Sequence, residues 1–156
     1  MIRFVTTLIV LTLGLNVFAA DFYVCQSAGK KKGPGTKEAP YKAIFDAVKN
    51  AQPGDTIHMA AGSYTGQMGA SEIIINKPVT IIGGYSPGFT ERNVTKYPTM
   101  IQPLNEKNDT KGLGVLTLDL PAGPGPDMVI DGLIIDQSYM NSYHDVKGKP
   151  EGVETG

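Results

Sequence analysis

Hydrophobic positions follow two different rhythms along the chain. Between Tyr41 and Ala51, the residues Ile44, Ala47, Val48 and Ala51 recur three or four apart, which puts them on one stripe of an α-helix. Pro40 suits the start of that helix, and Pro53-Gly54-Asp55 ends it and turns the chain. Phe22 to Cys25 predicts a short strand before it. After Asp55 the rhythm shortens. The runs Thr56–Met59, Ile73–Ile75, Val79–Ile82, Met100–Ile101, Val115–Leu118, Met128–Ile130 and Leu133–Ile135 follow one another. Turn residues separate them: Gly62, Asn76-Lys77-Pro78, Gly83-Gly84, Gly112, Pro121 to Pro126 and Asp131-Gly132. Several runs are continuously apolar, as strands buried by stacking are. No helical period lies between them, which argues against a doubly wound α/β sheet.

An all-β fold follows. A parallel β-helix, a solenoid in which short strands and turns repeat and each coil stacks on the last, accounts for the pattern better than a sandwich. The sandwich, which also uses short strands, is the alternative.

The first residues follow another logic. Met1-Ile2-Arg3 is a short positive start, Phe4 to Val17 is mainly apolar, and Val17-Phe18-Ala19 is a loose small-x-small site. Residues 1–19 read as a signal peptide cut after Ala19, and the apolar run is shorter than the roughly 20 residues a membrane span needs. Export to the periplasm, cell surface or medium is the expectation, with no transmembrane segment in the mature chain. Residues 20–136 form the structured part.

Composition narrows the classes further. The chain has 156 residues, enough for one domain, with 41% hydrophobic and 19% charged residues. Its formal net charge of −1 leaves no footprint for nucleic acid. The 19 glycines and 11 prolines match a chain of frequent tight turns. Cys25 stands alone, so an internal disulfide or a cysteine-cluster zinc site is excluded, and it reads as a small core residue. The loop Gln26 to Lys37 has Pro34-Gly35-Thr36 where a phosphate-binding loop needs Gly-Lys-Ser/Thr, so Lys30, Lys31 and Lys32 read as a solvated loop.

One set of motifs points to a family. Gly35-Thr36 with Pro40-Tyr41, then the helix, then Ala51 to Ile57, Gly62 and Tyr64, and Lys77 to Tyr85, occur in that order. The set resembles the N-terminal cap and first coils of pectate-lyase-like right-handed parallel β-helix proteins, and Val129 to Ile135 resembles a later coil. The likeness covers roughly residues 21–136. It implies a right-handed β-helix with an N-terminal capping α-helix that shields the open end. It also implies carbohydrate work: an exported polysaccharide lyase or glycoside hydrolase, of which this chain would be an N-terminal fragment. The alternative is a non-catalytic surface β-helix for glycan binding or adhesion. Lyases of this kind use a Lys or Arg base and often a calcium held by carboxylates. The family's catalytic groups lie on central coils, so none is matched to a position here, and the chain alone is expected to lack lyase activity.

Local candidates remain. Asp131 and Asp136 flank the run Leu133–Ile135 and are candidate calcium ligands, with Asp119 and Asp127 nearby; turn-forming Asp at corners is the competing reading. Tyr139, Tyr143 and His144 are candidate sugar-binding residues, against a solvated loop. Arg92 reads as a loop anchor, and His58 as a surface or turn-facing strand residue. Residues 137–156 are polar, hold no clear strand or capping element, and read as a polar loop or a truncated end.

Overall fold

In the computed structural model, which describes residues 19–66, 73–102 and 116–136, the apolar runs become short strands and the turn residues between them corners. The elements are β1 (Asp21–Val24), α1 (Ile44–Asn50), β2 (Thr56–Ala60), β3 (Gly62–Tyr64), β4 (Ile73–Ile75), β5 (Thr80–Tyr85), β6 (Thr99–Ile101), β7 (Leu116–Leu118), β8 (Val129–Asp131) and β9 (Leu133–Ile135). The chain is therefore mostly strand, with one short helix among the described residues. No described helix is long and apolar enough to cross a membrane.

The strands form three parallel sheets, ordered β1-β2-β5-β8, β3-β6-β9 and β4-β7. The chain visits them in a fixed order. It passes through β2, β3 and β4, then β5, β6 and β7, then β8 and β9. Each pass pairs in parallel with the one before, so Ile57 meets Ile81 and Ile81 meets Ile130. Likewise Tyr64 meets Ile101 and Ile101 meets Ile135. No sheet closes on itself among the described residues.

Register explains the core. Side chains alternate between the faces of a strand, so aligned strands line up like side chains in columns. Ile57, Met59, Ile75, Ile81 and Ile101 are fully buried where all three sheets turn their inner faces together. Burying each such side chain contributes about 1.5–3 kcal/mol. Cys25 is buried too, in a smaller cluster with Ala60 and Phe89. The columns lose their cover at the last described strand of each sheet. Leu118 is 49% and Ile135 51% exposed, although each continues a column that is buried one pass earlier.

The helix is shorter than the expected Tyr41–Ala51, for a specific reason. The Tyr41 N–H donates to the Tyr23 carbonyl and the Tyr41 carbonyl accepts from the Cys25 N–H, both at 2.8 Å. Its backbone is thus a partner of β1, and the chain stays extended through Ala43 before α1 begins. Ile44, Ala47 and Val48 face the core as the stripe predicts. At the far end, the Lys77 ammonium donates to the carbonyls of Val48 (3.2 Å), Lys49 (3.0 Å) and Ala51 (2.7 Å). These carbonyls have no partner further along the helix, so Lys77 closes it. The strand β3 was not legible as a strand. Its Tyr64 turns inward, and its hydroxyl donates to the Ala60 carbonyl at 2.8 Å.

Candidate functional site

Because Phe22, Ile57 and Ile81 point toward the core, the residues between them point out. Tyr23, His58, Ile82 and Asp131 stand in one cross-strand row on the outer face of the first sheet. A register shift between His58 and Ala60 then sets Tyr85 opposite Ala60 and brings its ring beside the imidazole.

His58 is the centre of this face, its side chain only 16% exposed. Its Nε2 lies 2.8 Å from Asp21 Oδ1, and its Nδ1 lies 3.1 Å from the Tyr85 hydroxyl. A carboxylate only accepts, so Asp21 fixes the proton on Nε2, and Nδ1 of the neutral ring accepts from Tyr85. Tyr23 stacks on the imidazole with centroids 4.9 Å apart and planes 18° apart, and Tyr85 meets it edge-on at 5.3 Å. Burial, then the negative charge of Asp21, pushes the Tyr23 hydroxyl above the ordinary tyrosine range.

The loop after β5 braces the face. Phe89 meets the Tyr23 ring edge-on at 5.0 Å, and it adopts a positive φ of 55°. The Ser86 hydroxyl secures this turn by accepting from the N–H groups of Thr90 (3.2 Å) and Glu91 (3.3 Å). Arg92 lies 6.0 Å over the Tyr85 ring, donates through Nε to the Gly83 carbonyl at 3.0 Å and pairs through Nη2 with Asp131 at 2.7 Å. It is an anchor, as its sequence context predicts. Close approach requires glycine at 83, where a Cβ would collide with the Gly132 carbonyl of the next pass. Further out, Lys96 and Tyr97 both donate to Glu91 and hold its carboxyl below the usual carboxylate range. Its interaction with Tyr97, then its bond to Glu91, raises Lys96.

A shallow cleft lies near α1. Gln26, Lys31, Lys42, Asp46, Ser63 and Thr65 line it, two cations against one carboxylate.

The residues singled out in the sequence fare differently. Tyr139, Tyr143 and His144 lie outside the described residues. Asp131 does stand on the outer face, at its far edge, 58% exposed and committed to Arg92. Asp136 follows β9, where its N–H donates to the Ile101 carbonyl at 2.9 Å. Among the described residues no group of three or more His, Cys, Asp or Glu is placed to hold a metal ion. Asp21, Tyr23 and Tyr85 were not foreseen as site residues. The signal for Tyr23 and His58 was their alternation with inward Phe22 and Ile57.

Residues 27–120 match a family described as protein of unknown function (DUF1565). The chain belongs to this family. The DUF1565 match runs from the loop after β1 through β7 and includes His58, Tyr85 and Arg92, while Asp21, Tyr23 and Asp131 lie outside it. No curated protein and no solved structure matches the chain.

Proposed function

We infer that this protein is exported, that its parallel sheets are the first coils of a right-handed parallel β-helix capped by α1, and that the outer face of the first sheet binds polysaccharide. The fixed order in which the chain visits three parallel sheets supports the β-helix. So does membership of DUF1565, a family commonly associated with parallel β-helix proteins. The leader-like residues 1–19 support export.

The observation that carries the binding role is the Asp21–His58–Tyr85 line with Tyr23 stacked against it. Sugars are recognised by pairing their apolar C–H faces with aromatic rings and their hydroxyls with fixed polar groups. Tyr23 and Tyr85 supply rings, and Asp21, 58% exposed though bonded to His58, supplies a carboxylate acceptor at the surface. The rings are held before any ligand arrives, which lowers the ordering cost of binding.

Affinity electrophoresis through gels containing neutral or acidic polysaccharides tests this. The protein should be retarded by at least one, and Tyr23→Ala should restore its mobility. Unretarded wild-type protein across both groups would overturn the binding role.

A second reading is favoured by the same hydrogen bonds. The Tyr85 hydroxyl, His58 and Asp21 make a line along which a proton can leave the phenol, as a polysaccharide lyase or glycoside hydrolase requires of an acid–base group. Release of unsaturated uronate or of reducing ends, abolished by Tyr85→Phe, would establish it. Turnover that survives this substitution would rule it out.

A further inference from the structure

Asp55 is a buried carboxylate, 4% exposed, in the turn between α1 and β2. Its Oδ2 accepts from the Gln52 N–H at 2.6 Å. Its Oδ1 accepts from the N–H of Ala20 at 2.7 Å. Backbone bonds fix the arrangement: the Asp55 N–H donates to the Gln52 carbonyl, and the Thr56 N–H donates to the Ala20 carbonyl at 2.9 Å. Among the described residues no Lys, Arg or His forms an ion pair with Asp55. A buried carboxylate without a counter-charge is costly.

Ala20 is the residue that leader removal turns into a chain end. Hydrolysis of the Ala19–Ala20 peptide bond by a signal peptidase adds one water. The leader leaves with the Ala19 carboxylate, and Ala20 keeps an α-amino group that takes up a proton at neutral pH. One N–H donor becomes an ammonium with three. The 2.7 Å separation already suits an N⁺–H···O⁻ bond. Ala19 and Ala20 are exposed, so the remaining ammonium hydrogens can face water.

We propose that Asp55 is a socket for the mature N-terminus, so that leader cleavage completes a charge pair that locks β1 onto β2. This rests on the export reading above, with cleavage after Ala19. Before the cut, the same oxygen holds only a neutral amide. After it, the contact ties the first strand in the register Asp21 to Thr56. Cleavage thus strengthens the fold at the moment the chain is free of its leader.

The test uses the full chain, exported by a bacterial host, with the product's first residue read by mass spectrometry. Three variants accompany it: one glycine inserted between Ala19 and Ala20, Asp55→Asn, and both together. The wild-type product should begin at Ala20. The inserted glycine moves the ammonium away and leaves Ala20 an amide, so the folded-to-unfolded ratio in urea should fall about tenfold. In Asp55→Asn the same insertion should change the ratio less than twofold. Should Asp55→Asn fail to fold, the insertion alone still decides, because it leaves Asp55 intact. A product beginning at Ala20 whose stability ignores the insertion would overturn the socket while leaving export standing. A product that keeps residues 1–19 would overturn the export reading, and the socket with it; a processed product that begins at a residue other than Ala20 would overturn the socket alone.

Discussion

Lys77 offers a sharp test of how the helix is held. Replacing it by Met keeps the aliphatic stem and removes the ammonium. Three carbonyls at the C-terminal end of α1, those of Val48, Lys49 and Ala51, then lose their donor. The helix has seven residues, too few to be stable alone, so its end depends on tertiary contacts. A hydrogen bond to a charged group contributes about 1.5–3 kcal/mol when well shielded, and a cation at a helix C-terminus about 0.3–1 kcal/mol. The three bonds share one ammonium, and water reaches part of it and can replace part of the loss. The expected cost is therefore about 2 kcal/mol in all. At an m-value near 2 kcal/mol/M, the urea midpoint should fall by about 1 M with the slope unchanged. Lys77→Arg should recover part of the loss. A midpoint within about 0.2 M of wild type would refute the capping role, because water would then be replacing Lys77 at no cost.

Other substitutions probe other parts of the account. Gly83→Ala should cost more than about 3 kcal/mol, because its Cβ meets the backbone of Gly132; far-UV circular dichroism and soluble yield report it, and a normally folded variant would contradict the close approach. Burial holds the Tyr64 hydroxyl far above the ordinary tyrosine range, whereas an unfolded tyrosine loses its proton near pH 10. The folded state therefore keeps more protons above that pH, so this stabilisation is complete below about pH 10 and is lost as pH rises beyond it. Tyr64→Phe should flatten that alkaline decline while costing about 1–2 kcal/mol at neutral pH through the lost bond to Ala60; an unchanged alkaline limb in urea titrations would count against it. Leu118→Lys with Ile135→Lys should reduce self-association in sedimentation velocity, since both side chains expose apolar columns at the last described strand of their sheets. Equal association before and after would show that these columns are not the sticky surface.

The strand runs were legible because a buried column demands an apolar residue at each pass, and Ile57, Ile81 and Ile130 satisfy it. The existence of the helix was legible from its stripe, but its start was not. Tyr41 looks helical in sequence, while its peptide groups are bonded to Tyr23 of β1 and to Cys25 just after it, a pairing no local pattern reveals. The strand β3 escaped because Gly62-Ser63-Tyr64 has no apolar alternation, and its stability comes from parallel pairing with Thr99 to Ile101. The site was less legible still. Asp21, His58 and Tyr85 come from three strands, and the shift after His58 that brings Tyr85 alongside is visible only once the strands are paired. Asp131 was singled out for acids flanking a strand. The sequence did not show that Arg92, in a loop before the previous pass ends, reaches it first.

Tyr23 carries the aromatic surface on which polysaccharide binding at the outer face of the first sheet depends. Calorimetric titration of a soluble polysaccharide that retards the wild-type protein should give measurable binding, weakened at least about tenfold in a Tyr23→Ala variant that still unfolds in one cooperative urea transition. Equal affinity in the two proteins would place the sugar elsewhere and contradict the account.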